Sequence, residues 1–288
     1  MDAGKAALAP RTLYLVATPI GHLEDVTLRA LEVLRGADFI ACEDTRVTRK
    51  LAARYELRAP LVSYHEHNRR ESGQTILARL QSGESGALVS DAGMPVVSDP
   101  GANLVALCRE AGVPVCVIPG PCAAVSALAL SGFPAGRFCF EGFLSVARKS
   151  RREHLAGLAA ERRTMIFYEA PHKLPGTLKD FAETFGADRR VVIGRELTKL
   201  HEETLCLTLG GAIEHFERTP PRGEFTLVVE GAPEPEPQTD GALDLARNAV
   251  AGGASLKDAA RLAAEQTGAA RRDIYNQLIQ EAKHTETD

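Results

Sequence analysis

The sequence predicts a two-lobed α/β protein with a small helical appendage, and three observations predict it. The first half alternates short β-branched runs with segments of helical period, the pattern of a mostly parallel sheet covered by helices. A break at Gly132, Pro134 and Gly136 separates this half from a second strand-rich stretch whose strands follow one another too closely for an all-parallel sheet. A Pro-rich acidic segment then precedes short alanine-rich helices. The expected organisation is one α/β lobe over 1–136, a second over 137–231, an extended linker over 232–240 and a helical unit over 241–288.

In the first lobe, residues 12–17, 37–42, 61–65, 86–90 and 113–118 read as strands, with helices in TLRALEVLRG, DTRVTRKLAARY, ESGQTILARLQSG and ANLVALCREAG between them. In the second lobe the strands are 138–143, 164–170, 189–197, 204–209 and 224–231, with a basic helix after the first and a helix ending at Phe185 after the next. In the appendage, Ser255 with Asp258 three residues on is a helix start, and Gly268 ends that helix. Three short helices joined by a tight turn fit a helix-turn-helix or a plain interaction bundle.

Composition narrows the class. Hydrophobic residues make up 44% and charged residues 25%, a normal balance for a protein with a large core. No run approaches the ~18 apolar residues of a membrane span. The first strand is better read as buried core than as part of a signal peptide. The six cysteines are spaced 66, 8, 6, 17 and 67 apart, without a paired framework, which predicts buried or reduced thiols and a cytoplasmic location. Net charge is −4, all of it from 232–288, where 10 acidic residues face 6 basic ones. Within the balanced remainder, 145–163 holds six basic residues against Glu153 and Glu161. That segment is either a phosphate-contact surface or a solvated helix face.

Ligands of parallel sheets bind beyond the carboxyl ends of strands, so the loops there matter most. ATPIGHLED (17–25) lacks the glycine fingerprint of dinucleotide folds, and no phosphate-binding P-loop occurs. The fourth strand runs into SDAGMPVVSDPG (90–101), a rigid loop with two Asp-containing turns. The fifth ends in IPGPCA (118–123) and opens directly into a helix whose first N–H groups can receive a polar or anionic group. These two strands are expected to be neighbours in the sheet. Three polar clusters stand out elsewhere: EDTR (43–46) with Arg49 and Lys50, YHEHN (64–68), and RELTKLHEE (195–203). Two histidines in YHEHN do not make a metal site, so no metal is expected.

SDAGMPVVSDPG followed by VIPGPCAAVSALALSG resembles the tetrapyrrole-methylase superfamily, whose members bind S-adenosyl-L-methionine between two α/β lobes. Within it the nearer resemblance is to the 16S rRNA cytidine 2′-O-methyltransferases, the small-subunit methyltransferase I family. It is carried in order by LYLVATPIGHLEDVTLRA, ACEDTRVTRKL, SYHEHN, EGFL, FYEAPHKL, RELTKLHEE and RGEFTLVVEG, and the terminal helices resemble that family's helix-turn-helix. Met94 and Cys122 stand where Thr and Ser are commoner, and Lys173 where Arg is usual.

The resemblance implies a tetrapyrrole-methylase-like fold with the cofactor cleft between the lobes. Pro19, Asp91, Gly93, Met94, Cys122, Ala123 and Tyr168 are expected to line that cleft, mainly through backbone groups. It also implies a homodimer acting on 16S rRNA in a partly assembled small subunit. A ribose hydroxyl is a poor nucleophile, so a base or a cation must assist it. Lys199, positioned by Glu196 or Glu202, is the candidate, and it either orients the hydroxyl or takes its proton; the alternative is a surface ion-pair cluster. Arg46, Arg49, Arg148, Arg151 and Arg152 are the candidate RNA contacts. The rival functions are a corrinoid or porphyrin C-methyltransferase and a cofactor-binding regulator that grips DNA through the acidic terminal helices, the latter disfavoured by their charge.

Overall fold

The computed structural model describes residues 8–234 and 239–285. The chain divides into two compact units, Met1–Ala232 and Pro233–Asp288.

The larger unit contains both sheets. The first is built from β1 (Leu13–Val16), β2 (Phe39–Cys42), β3 (Leu61–Ser63), β4 (Gly86–Val89) and β5 (Val115–Ile118), all parallel, in the order β3-β2-β4-β1-β5. Its helices are α1 (Leu28–Gly36), α2 (Thr45–Tyr55), α3 (Arg69–Gln81), α4 (Ala102–Glu110) and α5 (Ala123–Ser131). Period-two alternation sends Tyr14, Ile40 and Val89 to a core with α1 and α2, and Leu13, Phe39 and Leu88 to one with α3 and α4. Both faces are therefore covered, and β2 and β4 are buried throughout, as parallel strands require. Strands β4 and β5 are not the neighbours the sequence predicts, because β1 lies between them. Instead, β2 and β4 adjoin and lead on in opposite directions, to β3 and β5, which opens a crevice at their carboxyl ends.

The second sheet orders β6 (Phe138–Phe143), β7 (Thr164–Glu169), β10 (Phe225–Val229), β8 (Arg190–Arg195) and β9 (Glu203–Thr208). Only β6 and β7 pair in parallel, so the sheet is mixed, as the strand spacing predicts. Helices α6 (Arg148–Gly157), α7 (Leu174–Phe185) and α8 (Leu209–Arg218) accompany it. Helix α8 was not expected. Leu209 begins it rather than ending a strand: the Thr208 hydroxyl accepts the Gly211 N–H, and two glycines in the first turn mask the helical signal. One face of the sheet forms a core around Phe167, Phe181 and Leu227. The other places Ile166, Val192 and Val228 against Ala124, Ala127 and Leu128 of α5 and against Ile20. Helix α5 thus joins the two sheets, which explains its nearly unbroken apolar sequence.

The smaller unit has α9 (Thr239–Ala251), α10 (Leu256–Thr267) and α11 (Arg271–Thr285) around a core of alanines with Ile274 and Leu278. Ser255 accepts the Asp258 N–H and Gly268 closes α10 at φ +73°, both as the sequence predicts. The predicted linker 232–240 is shorter than expected at its end, because Thr239 and Asp240 belong to α9; residues 235–238 lie outside the described residues. No helix among the described residues is long and apolar enough to cross a membrane.

Candidate active site

The loops after β1 and β4 brace each other at the carboxyl edge of the first sheet. Thr18 and Gly93 exchange backbone hydrogen bonds of 2.9 and 3.0 Å, and the Thr18 hydroxyl donates to the Ser90 carbonyl. Gly93 has φ +82°, and the same loop holds Val96 at +77° and Ser98 at +62°. A β-branched residue in that region is strained, a state that persists only where surroundings enforce it. Both backbone polar groups of Gly93 serve this brace, so its contribution is to shape the wall.

The facing wall comes from the ends of β7 and β8 and the start of β10. The Ala124 N–H, in the first turn of α5, donates to the Tyr168 hydroxyl at 3.1 Å. Cys122, the residue preceding α5, makes no side-chain cap, so this tyrosine from the second lobe satisfies a donor that a hydroxyl at position 122 would otherwise serve. Phe140 and Phe143 pack against the Tyr168 ring, and burial pushes its hydroxyl pKa up to about 12.

The turn after β8 is tightly specified. Glu196 and Thr198 both adopt positive φ. The Glu196 N–H donates to the Glu224 carbonyl at 3.0 Å, and the Glu224 N–H donates to Glu196 Oε1 at 2.8 Å. Gly223 makes this possible, since a Cβ there would lie 2.4 Å from Glu196 Cγ. Lys199 Nζ donates to Glu196 Oε1 at 2.8 Å and to Glu224 Oε2 at 2.9 Å. Burial draws the Lys199 pKa down, but the two carboxylates outweigh it and the net direction is up. Burial opposes ionisation of Glu196 as well, and its bonds to Lys199 and Glu224 still carry it below the ordinary value. The two lobes meet here, where the His22 N–H donates to Thr198 Oγ1 at 3.0 Å. Gly21 permits that approach; a Cβ would lie 2.5 Å from Lys199 Cγ.

Between the walls lies a cleft of about 590 Å³, within the range of small-molecule sites. Ile20, Met94, Phe143 and Leu197 supply apolar surface. Glu43, Asp91 and Asp99 supply carboxylates on the first lobe's side, and burial raises all three, Asp99 to about 7. Asp91 Oδ1 accepts the Asp44 N–H at 3.0 Å. Acceptors of this kind suit a ligand with hydroxyl or cationic groups, and Ala123, opening α5, adds a helix N-terminus to the lining.

Six predicted cofactor residues meet here: Asp91, Gly93, Met94, Cys122, Ala123 and Tyr168. Pro19 does not reach the cleft; Ile20 does. Lys199 lines it, with Glu196 beneath. Glu202 is not its partner: that carboxylate accepts the Thr198 N–H, and Glu224, which sequence reasoning missed, takes the expected place. The RNA candidates lie apart from the cleft. Arg46 folds back on Asp44, which it holds near pKa 2, while Arg49 is exposed on α2. Arg151 is not a free phosphate contact. It is 12% exposed and paired at 2.6 Å with Asp180, itself 1% exposed, so it ties α6 to α7. Arg152 and Arg148 reach Glu183, at 2.6 and 3.8 Å, but keep half or more of their surface exposed.

Residues 12–212 match the family described as Tetrapyrrole (Corrin/Porphyrin) Methylases, and residues 236–282 match the RsmI C-terminal HTH domain. Among solved structures, uroporphyrin-III-C-methyltransferase from Thermus thermophilus superposes with a TM-score of 0.55 at 22% identity, covering 76% of this chain and 94% of that one. Cobalt precorrin-4 methyltransferase gives 0.60 at 18%, covering 76% and 95%. The class is thus a two-lobed tetrapyrrole-methylase fold. Ribosomal RNA small subunit methyltransferase I of Synechocystis is 48% identical over 91% of this chain and 95% of its own length, and that of Escherichia coli O157:H7 is 44% identical over 93% and 95%. The chain belongs to the ribosomal RNA small subunit methyltransferase I family.

Proposed function

We propose that the protein uses S-adenosyl-L-methionine to methylate the ribose 2′-oxygen of a cytidine in the decoding region of 16S rRNA. The observation that carries this reading is a lysine held cationic in the cleft by two carboxylates, where a developing alkoxide needs charge. The relatives named for the ribosomal small subunit supply the substrate class.

The cleft's volume, apolar lining and acceptor wall fit a methyl donor of this kind. When bound, the donor supplies an electrophilic methyl on sulfur, and the protein's part is largely positioning. Asp91, Met94, Cys122, Ala123 and Tyr168 hold it, Gly93 shapes the loop beneath it, and Pro19 positions Ile20. Lys199 stabilises negative charge on the acceptor oxygen, with Glu196 fixing its place. Arg46, Arg49, Arg148 and Arg152 are the phosphate contacts. The working form is a cytoplasmic homodimer acting on an assembling small subunit.

Incubating purified protein with radiolabelled S-adenosyl-L-methionine and unmodified small subunits, followed by mapping of the label, tests the reading. A methyl on a cytidine 2′-oxygen is the expected result. Label on a base, or transfer only to carbon of a corrinoid or porphyrin, would replace it with the rival chemistry.

A further inference from the structure

The second lobe's wall supplies a cation, Lys199, and one rival proton acceptor for the acceptor hydroxyl, His172. Lys199 is bound to Glu196 and Glu224, and each contact favours its charged form. Glu224 pairs with Lys199 through one oxygen and is otherwise largely exposed to solvent. Glu169, also in the lining, accepts the Thr177 hydroxyl at 2.6 Å through one oxygen and the Ala170 N–H at 2.9 Å through the other. On the first lobe's wall, Asp91 holds the Asp44 N–H.

Asp99 differs from these. It lies in the cleft at the end of the strained loop after β4, immediately after Ser98 at φ +62°. Ser98 packs against Gly142 of β6, where a Cβ would lie 3.0 Å from Ser98 Oγ, so Asp99 is carried on a segment braced by both lobes. The ionisable groups acting on it are Glu43, at the end of β2, and Asp91, on its own loop; across the cleft it acts in turn on Tyr168 of β7. The Ser90 hydroxyl, which lies beside Asp99, donates to the Ala92 and Gly93 carbonyls at 3.2 Å. Among the described residues, the charges that shift Asp99 are both carboxylates.

We propose that Asp99 is the catalytic residue that takes the proton from the acceptor 2′-hydroxyl. The inference rests on the methyltransferase reading above and adds the base which that reading lacks. In the step, the O–H bond breaks as the oxygen bonds the donor's methyl carbon. The carbon–sulfur bond breaks with its electron pair left on sulfur, giving a neutral thioether, and the proton passes to an Asp99 carboxylate oxygen. Burial first, then repulsion from Glu43, places the Asp99 pKa at about 7, where a base accepts a proton yet is still ionised in neutral solution. An ordinary carboxylate would be too weak an acceptor. Lys199 and Asp99 then divide the work, one stabilising charge and the other moving the proton.

The test uses the full-length protein and combines three measurements. Carbon-13 NMR titration of the aspartates, assigned by Asp99→Asn, should show Asp99 titrating near neutrality and moving to lower pH in Glu43→Gln. Calorimetry with S-adenosyl-L-methionine should show unchanged affinity in Asp99→Asn. Single-turnover transfer to small subunits should rise with pH through the Asp99 transition in the wild type. In Asp99→Asn it should be about 10²-fold slower or more and should lose that dependence. Titration of Asp99 in the ordinary carboxylate range would overturn the proposal. So would an intact pH profile in Asp99→Asn, above all if His172→Gln abolished it, since His172 also lines the cleft. A lost donor affinity that accounts for the lost rate would make Asp99 a binding residue. A wild type that transfers no methyl to ribose would instead overturn the functional reading itself, a result read without any variant.

Discussion

The two walls of the cleft carry the same kinds of side chain in opposite electrostatic states. On the first lobe, Glu43, Asp91 and Asp99 are half-buried near one another and all are pushed toward the neutral form. On the second, Glu196 is pulled toward the charged form by Lys199, and Lys199 is held charged in return. Titratable groups driven apart in this way mark a division of acid–base labour. The difference lies in direct pairing: Glu196 is hydrogen-bonded to Lys199, whereas on the first lobe burial and mutual repulsion outweigh the weaker pull of Arg46 on Asp91 and of His65 on Glu43.

The most severe test removes the first wall's shape. Gly93→Val forces a β-branched side chain into φ +82°, with its Cβ 3.3 Å from Ile20 Cγ2. Binding of S-adenosyl-L-methionine should be lost by calorimetry while circular dichroism stays native, and unchanged affinity would show that this loop is not the donor's seat. Next comes the second wall's cation. Lys199→Met should slow single turnover about 10²-fold with donor affinity intact.

A structural ion pair gives the contrast. Arg151→Ala leaves the buried Asp180 with only the longer 3.5 Å contact to Arg148 and should cost up to about 3–5 kcal/mol of stability, read by denaturant unfolding. The exposed Arg152→Ala should cost about 0–1 kcal/mol. If Lys199→Met instead behaved like Arg151→Ala, losing stability rather than rate, the second wall would be scaffold and the comparison would fail. A further contrast is in stability against pH. Asp99 has a folded pKa near 7 against 3.8 unfolded, so the native state holds the extra proton and stability falls as pH rises between those values. Glu196 has the opposite sign: its contribution is present above 4.5 and is lost as pH falls. Asn and Gln mimic the protonated acids, so thermal melts of Asp99→Asn and Glu196→Gln should both diverge from the wild type at the high-pH end, Asp99→Asn toward higher stability and Glu196→Gln toward lower.

What the sequence made legible was whatever depends on local pattern. Short β-branched runs located the strands of both sheets, and loops rich in Gly, Pro and Asp at strand ends marked 90–101 and 118–123, within which the family resemblance singled out Asp91, Gly93, Cys122 and Ala123. What it hid was pairing across long separations. Arg151 and Asp180 are 29 residues apart, so the charge of 145–163 read as a free basic face when α7 in fact partly neutralises it. Lys199 and Glu224 are 25 apart, so Glu202 was the nearer but wrong partner. Asp99 was visible only as half of a repeated turn, because its environment depends on Glu43 from another strand.

The central claim is that Lys199 works as a fixed positive charge and never as a base. Lys199→Arg tests it most directly, because arginine keeps the charge and does not lose a proton in this range. Single-turnover rates across pH should recover well above those of Lys199→Met and keep the wild-type rise through the Asp99 transition. A Lys199→Arg variant as slow as Lys199→Met, with that transition unchanged and donor affinity intact, would contradict the account and return the proton to Lys199.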